Sequence, residues 1–88
     1  MIMEGTLYKG KAVYVQEHIE SDDADGESYS ARLEACLRSF CQLVDAPLPL
    51  WMEKNTREYS RYRQTTFYRD QFLEPVAFDR MQIRQLSE

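Results

Sequence analysis

Residues 28 to 45, SYSARLEACLRSFCQLVD, decide the fold. With about 100° between successive residues of a helix, Val44, Phe40, Leu37 and Tyr29 fall within about 40° of Leu33. Cys36, Leu43 and Cys41 flank that stripe, while Glu34, Arg38, Gln42 and Asp45 lie on the far side. An apolar stripe about 160° wide covers a sheet face, so the segment predicts an amphipathic helix laid on strands. Asp25 or Ser28 is placed to cap its start, and Pro47 to end it by excluding the α conformation before it.

The strands that such a helix needs are found at both ends of the chain. Residues 2 to 19, IMEGTLYKGKAVYVQEHI, read as a β-hairpin. Val13, Val15 and Ile19 fall on one face with Glu17 among them, and Ala12, Tyr14, Gln16 and His18 on the other, the alternation of a half-buried strand. Lys9-Gly10 supplies the turn, because glycine accepts the positive φ of a tight hairpin. Gly5, inside the first strand, marks a bulge or a close backbone approach. Val76 to Leu86 reads as a C-terminal strand, with Met81 and Ile83 alternating with Arg80, Gln82 and Arg84. Phe78 and Leu86 break that phase, which predicts a bulge or a solvent-facing aromatic.

Between helix and C-terminal strand the signals weaken. Leu48, Leu50, Trp51 and Met52, interrupted by Pro49, predict a short connection plugging one end of the core. Asn55 with Glu58 three residues on resembles a capping box, predicting a short helix over residues 56 to 63. Residues 64 to 75 fit a loop, a short strand or a helical turn. The fold class expected is therefore α+β over residues 1–88 as one domain. An N-terminal β-hairpin, one long amphipathic helix, a short second helix and a C-terminal strand complete a small antiparallel sheet.

Charge is unevenly spread. The net charge is −4, yet residues 1 to 50 carry nine acids against four bases and residues 51 to 88 six acids against seven bases. Glu20, Asp22, Asp23, Asp25 and Glu27 form an acidic connection ahead of the helix. If Gly26 were the turn glycine of a calcium loop, Arg32 would stand where the bidentate glutamate belongs, so that reading fails. The opposite charge gathers in residues 54 to 69, KNTREYSRYRQTTFYR, with five cations, one acid and four aromatic rings.

This segment carries the functional expectations. Tyr, Trp, Arg and Met are enriched at interface centres, and a domain this small has difficulty burying all eleven of its aromatic residues. The leading expectation is a non-enzymatic protein-interaction or assembly module that binds a protein partner or itself as a homodimer. Its candidate contact residues are Arg57, Tyr59, Arg61, Tyr62, Arg63, Tyr68 and Arg69. The alternative is RNA or single-stranded DNA, with the arginines neutralising phosphates and the rings stacking bases. The bland reading makes the tyrosines core and pairs the arginines with the acidic connection.

Catalysis finds little support. His18 is the lone histidine, Cys36 and Cys41 have no histidine beside them, and Gly5, Gly10 and Gly26 are isolated. On one helix, thiols five residues apart sit about 8 to 9 Å apart at Cα, beyond disulfide reach and off zinc spacing. Two free thiols and the lack of an apolar run of membrane-spanning length point to a cytoplasmic protein. No enzyme, cofactor, metal, membrane or small-molecule substrate is expected.

Overall fold

In the computed structural model, which describes residues 1–20 and 28–87, the glycine at position 5 explains how helix and sheet meet. A Cβ built there would lie 2.5 Å from Cδ1 and Cε1 of Phe40, so the benzyl ring rests directly on the strand backbone. Only a residue without a side chain permits that approach, which is the close-contact alternative for Gly5. Phe40 is fully buried, and removing a ring of that size from water contributes about 2 to 3 kcal/mol.

The strand bearing Gly5 is β1, Ile2–Lys9, followed by β2, Ala12–Glu20. The first helix is α1, Tyr29–Leu43, and the second is α2, Glu53–Tyr62. Two strands, β3, Gln64–Tyr68, and β4, Arg80–Ser87, complete a four-stranded antiparallel sheet of order β2-β1-β4-β3. Both helices lie on one face. Met3, Leu7, Phe67, Met81 and Ile83 of the sheet meet Cys36, Leu37, Phe40 and Cys41 of α1 and Tyr59 of α2 in the buried core. This is the expected α+β class, with one strand more than the three expected.

Local chemistry explains each element. Ser28, extended at φ −72° and ψ 160°, accepts the Ala31 N–H on its hydroxyl and caps α1. The acidic connection that follows Glu20 and the alternative cap at Asp25 lie outside the described residues. At the other end α1 stops before Pro47 acts. Asp45 turns left-handed at φ 56°, and the Ala46 N–H reaches back to the Cys41 carbonyl at 2.8 Å, a Schellman closure without the usual glycine. In the hairpin the turn residues are Gly10 and Lys11 between the paired Lys9 and Ala12, one position later than expected. Gly10, at φ 62°, takes the first central place of the turn.

One bulge corrects a face assignment, and a second falls where the sequence predicts one. Leu7 pairs with Val15 but Tyr8 with Val13, leaving Tyr14 as the extra residue. Val13 is therefore 54 % exposed rather than packed against the core with the half-buried Val15 and Ile19. On β4, Met3 pairs with Gln85 and Ile2 with Ser87, so Leu86 is the extra residue, the bulge that its broken phase predicts. Phe78 precedes the strand and is buried edge-on against Phe72, centroids 5.2 Å apart.

The second helix begins at Glu53, three residues earlier than expected, and Asn55 is inside it. Asn55 Oδ1 accepts from the Met52 N–H at 2.9 Å and from Gln71 Nε2 at 3.0 Å, and Nδ2 donates to Thr65 Oγ1 at 2.7 Å and the Thr66 carbonyl at 3.2 Å. Glu58, expected as the capping partner, instead accepts from the Thr65 hydroxyl at 2.6 Å. Gln71 also donates to the Leu50 carbonyl and accepts from the Tyr68 N–H. With Asn55 and Gln71 fully buried, this polar knot ties the 46–52 connection, α2 and β3 together.

Candidate interaction cleft

The two helices lie side by side without closing on each other. On α1, Tyr29, Leu33 and Leu37 follow at four-residue spacing, with Ser30 and Glu34 beside them; on α2, Thr56, Tyr59 and Ser60 form the facing edge, with Arg63 just past the helix end. Small hydroxyl residues at 56 and 60 leave space where larger side chains would interlock. The result is a cleft of about 520 Å³, closed at one end by Leu48, Pro49 and Trp51. Leu48, Leu50, Trp51 and Met52 are each about 40 % exposed, so the expected core plug is a rim instead. The cause is the extended run held by the Leu50 N–H to Gln71 carbonyl bond at 2.7 Å, which leaves these side chains no helix of their own to bury against.

Aromatic rings build the floor. Trp51 stands edge-on to Tyr59 at 6.2 Å and tilted to Phe67 at 5.7 Å, with its indole N–H donating to Thr56 Oγ1 at 2.8 Å. Tyr29 and Tyr59 both donate to Gln85 Oε1, Tyr59 at 3.0 Å. Tyr59 is only 3 % exposed. Its burial, reinforced by Tyr29, pushes the phenol well above the ordinary tyrosine range, so it remains a neutral donor. Arg63 occupies the end opposite Trp51. Its backbone is left-handed at φ 57°, and its guanidinium lies 5.9 Å from the Tyr29 ring. Among the described residues it forms no ion pair.

The seven residues singled out from the sequence do not share one surface. Arg63 and Tyr59 reach the cleft, Tyr59 as floor. Arg57 reaches toward Glu53 at 3.6 Å on the exposed side of α2. Arg61 lies 5.6 Å above Tyr62, which is 61 % exposed. Tyr68 is on the far side of the sheet under Lys54, at 4.5 Å. Arg69 is structural, bridging Asp79 at 2.8 Å and the Phe78 carbonyl at 3.0 Å. The chain reverses at Arg63, so half the segment is helix and half strand. Leu33, Leu37, Leu48 and Ser60 join the cleft without having been singled out as contacts, because a sequence pattern marks a helix face and not a gap between two.

The other face of the sheet is polar and ordered in rows across the strands. Gln16, Thr6, Gln82 and Thr66 form one row; His18, Glu4, Arg84 and Gln64 the next; Val13, Tyr8, Arg80 and Tyr68 a third. Glu4 accepts from both His18 and Arg84 at 3.1 Å, and Arg80 stacks 4.0 Å above Tyr8. No cluster of three metal-ligating side chains occurs among the described residues. Cys36 and Cys41 are both buried and neither is in a disulfide, and burial pushes the Cys41 thiol up to about 11, which suppresses the thiolate. Among the described residues no helix is long and apolar enough to cross a membrane. Comparison with protein families, with curated proteins and with solved structures finds no match.

Proposed function

We propose that the protein is a non-enzymatic interaction module whose contact surface is the cleft between α1 and α2. One observation carries this reading: an open groove of about 520 Å³, lined by Leu33, Leu37, Leu48, Pro49 and Trp51, with hydroxyls and one guanidinium at its edges. Apolar grooves with a few convergent polar groups are where side chains of a partner are desolvated, and rigid aromatic rings give such contact at little entropic cost. The partner is a protein segment that lays apolar side chains along the groove. Short peptides selected from a random library on the immobilised protein test this. Binding is expected to fall at least tenfold for Leu48→Lys, an exposed rim change that leaves the core intact. Peptides that bind both proteins equally would place the contact elsewhere.

A second reading rests on the open sheet face, where Tyr68, Arg80, Arg84 and Lys54 set rings and cations side by side. Single-stranded nucleic acid would stack on Tyr68 and place phosphates at the arginines. Glu4 within the same grid weighs against it, as does the net charge of −4. Retention of oligonucleotide on the protein that falls steeply with salt would support this reading; no retention at low salt would exclude it.

A further inference from the structure

The most exposed large apolar side chain among the described residues is Leu73, at 83 %. It does not hang on a loose loop. Phe72 and Phe78, at either foot of the 73–77 arch, are buried edge-on against each other, and Arg69 clamps the base through Asp79 and the Phe78 carbonyl. The arch therefore presents Leu73, Glu74 and Pro75 as three consecutive exposed residues on a fixed base. Among the described residues, Glu74 forms no ion pair. An apolar residue followed by an acid is complementary to the cleft, where an apolar floor leads to the guanidinium of Arg63.

We propose that the occupant of the cleft is the Leu73-Glu74-Pro75 arch of a second copy of this chain, with Glu74 paired to Arg63. This rests on the cleft being the contact surface. The contact forms only between molecules: Glu74 borders the hollow at Val44–Pro47, by the C-terminal end of α1, whereas Arg63 lies against Tyr29 at its N-terminal end. A 15-residue helix separates the two, roughly 22 Å. Donor arch and acceptor cleft are different surfaces, so the association is head-to-tail and each copy can both give and receive. A contact this small gives weak affinity, in the micromolar to millimolar range.

Sedimentation velocity over a concentration series tests the proposal. The wild-type chain shows a sedimentation coefficient rising with concentration, less steeply in high salt. Leu73→Asp loses the arch and Arg63→Glu loses the acceptor, and each alone stays monomeric. Mixed in equal amounts they form dimers and nothing larger, because one intact arch and one intact cleft remain. Combining Arg63→Glu with Glu74→Arg in one chain restores association. Circular dichroism confirms that each variant is folded, and Glu74→Lys, at a surface position, supplies a further arch variant. Wild type that stays monomeric at millimolar concentration, variants that associate like wild type, or a mixture that forms no dimer overturns the proposal. Selected peptides that still occupy the cleft of a strictly monomeric protein would leave the interaction module standing while removing self-assembly.

Discussion

Gly5→Ala is the substitution that most sharply probes how α1 sits on the sheet. The new Cβ would meet Phe40 carbons at 2.5, 2.5 and 2.7 Å. Carbon atoms pack at about 3.5 to 4.0 Å, so the ring has to retreat by about 1 Å. It has no free volume to enter, because Phe40 is fully buried among Met3, Met81 and Ile83, which are themselves fully buried. Overpacking of this kind costs about 1 to 3 kcal/mol, offset in part by the 0.5 to 1 kcal/mol that alanine gains over glycine within a strand, both approximate. A net loss of about 1 to 2 kcal/mol corresponds to a melting point lower by roughly 5 to 15 °C in a domain of this size. Guanidinium unfolding followed by circular dichroism and by Trp51 fluorescence measures it. In a Phe40→Leu background the smaller side chain yields, and most of the Gly5→Ala penalty should disappear, a coupling of about 1 kcal/mol. If Gly5→Ala is as stable as wild type, or equally damaging with Leu at position 40, the close approach does not govern the packing.

Other consequences follow from the same structure. Asn55→Ala removes four hydrogen bonds, taking one partner each from the buried Gln71 amide and the buried Thr65 hydroxyl, so unfolding experiments should show a loss of about 2 to 4 kcal/mol. Arg63→Gly relieves the left-handed backbone at φ 57° and should raise stability by about 0.5 to 1 kcal/mol; the same change, measured by sedimentation, should weaken self-association. Alkaline pH should destabilise the fold. The Cys41 thiol titrates near 9.0 when unfolded and at about 11 when folded. Its contribution is whole below pH 9 and is lost as pH rises through 11. The raised Tyr59 phenol acts in the same direction above the ordinary tyrosine range. Denaturation midpoints at pH 8 and 10.5 should therefore differ, and less so in Cys41→Ala; a flat profile would contradict the burial of these groups.

The parts of this fold that could be read from the chain are those in which one local pattern carries the whole signal. The α1 stripe, the Ser28 cap, the close approach at Gly5 and the bulge at Leu86 each follow from a few neighbouring residues. β3 escaped because Thr65 and Thr66 are polar, and the reason Thr65 is tolerated inside, its bond to Asn55, spans ten residues. That same bond misled the reading of α2: Asn55 has the chemistry of a cap but spends its amide on the core and its carbonyl oxygen on the Met52 N–H. Asp45 ends α1 in a left-handed turn where glycine would have been the visible cue. Val13 changed sides because one extra residue in a strand inverts everything beyond it.

The cleft was still less visible. It is assembled from α1, α2 and the 46–52 connection, and it exists because Thr56 and Ser60 are too small to meet Leu33 and Leu37. Of the aromatic and arginine segment, only the residues facing inward along α2 and the chain reversal at Arg63 contribute to it. Arg57, Arg61, Tyr62, Tyr68 and Arg69 point away because a helix, a reversal and a strand succeed one another within 16 residues of sequence.

Amide chemical-shift mapping of the ¹⁵N-labelled protein, titrated with a peptide selected for binding, tests most directly whether the cleft is the contact surface. Shifts concentrated at Tyr29, Leu33, Leu37, Thr56, Ser60 and Arg63, with the Trp51 indole among them, are the predicted result. Shifts confined to β2, or to Thr6, Gln16 and Gln82 on the open sheet face, would contradict it.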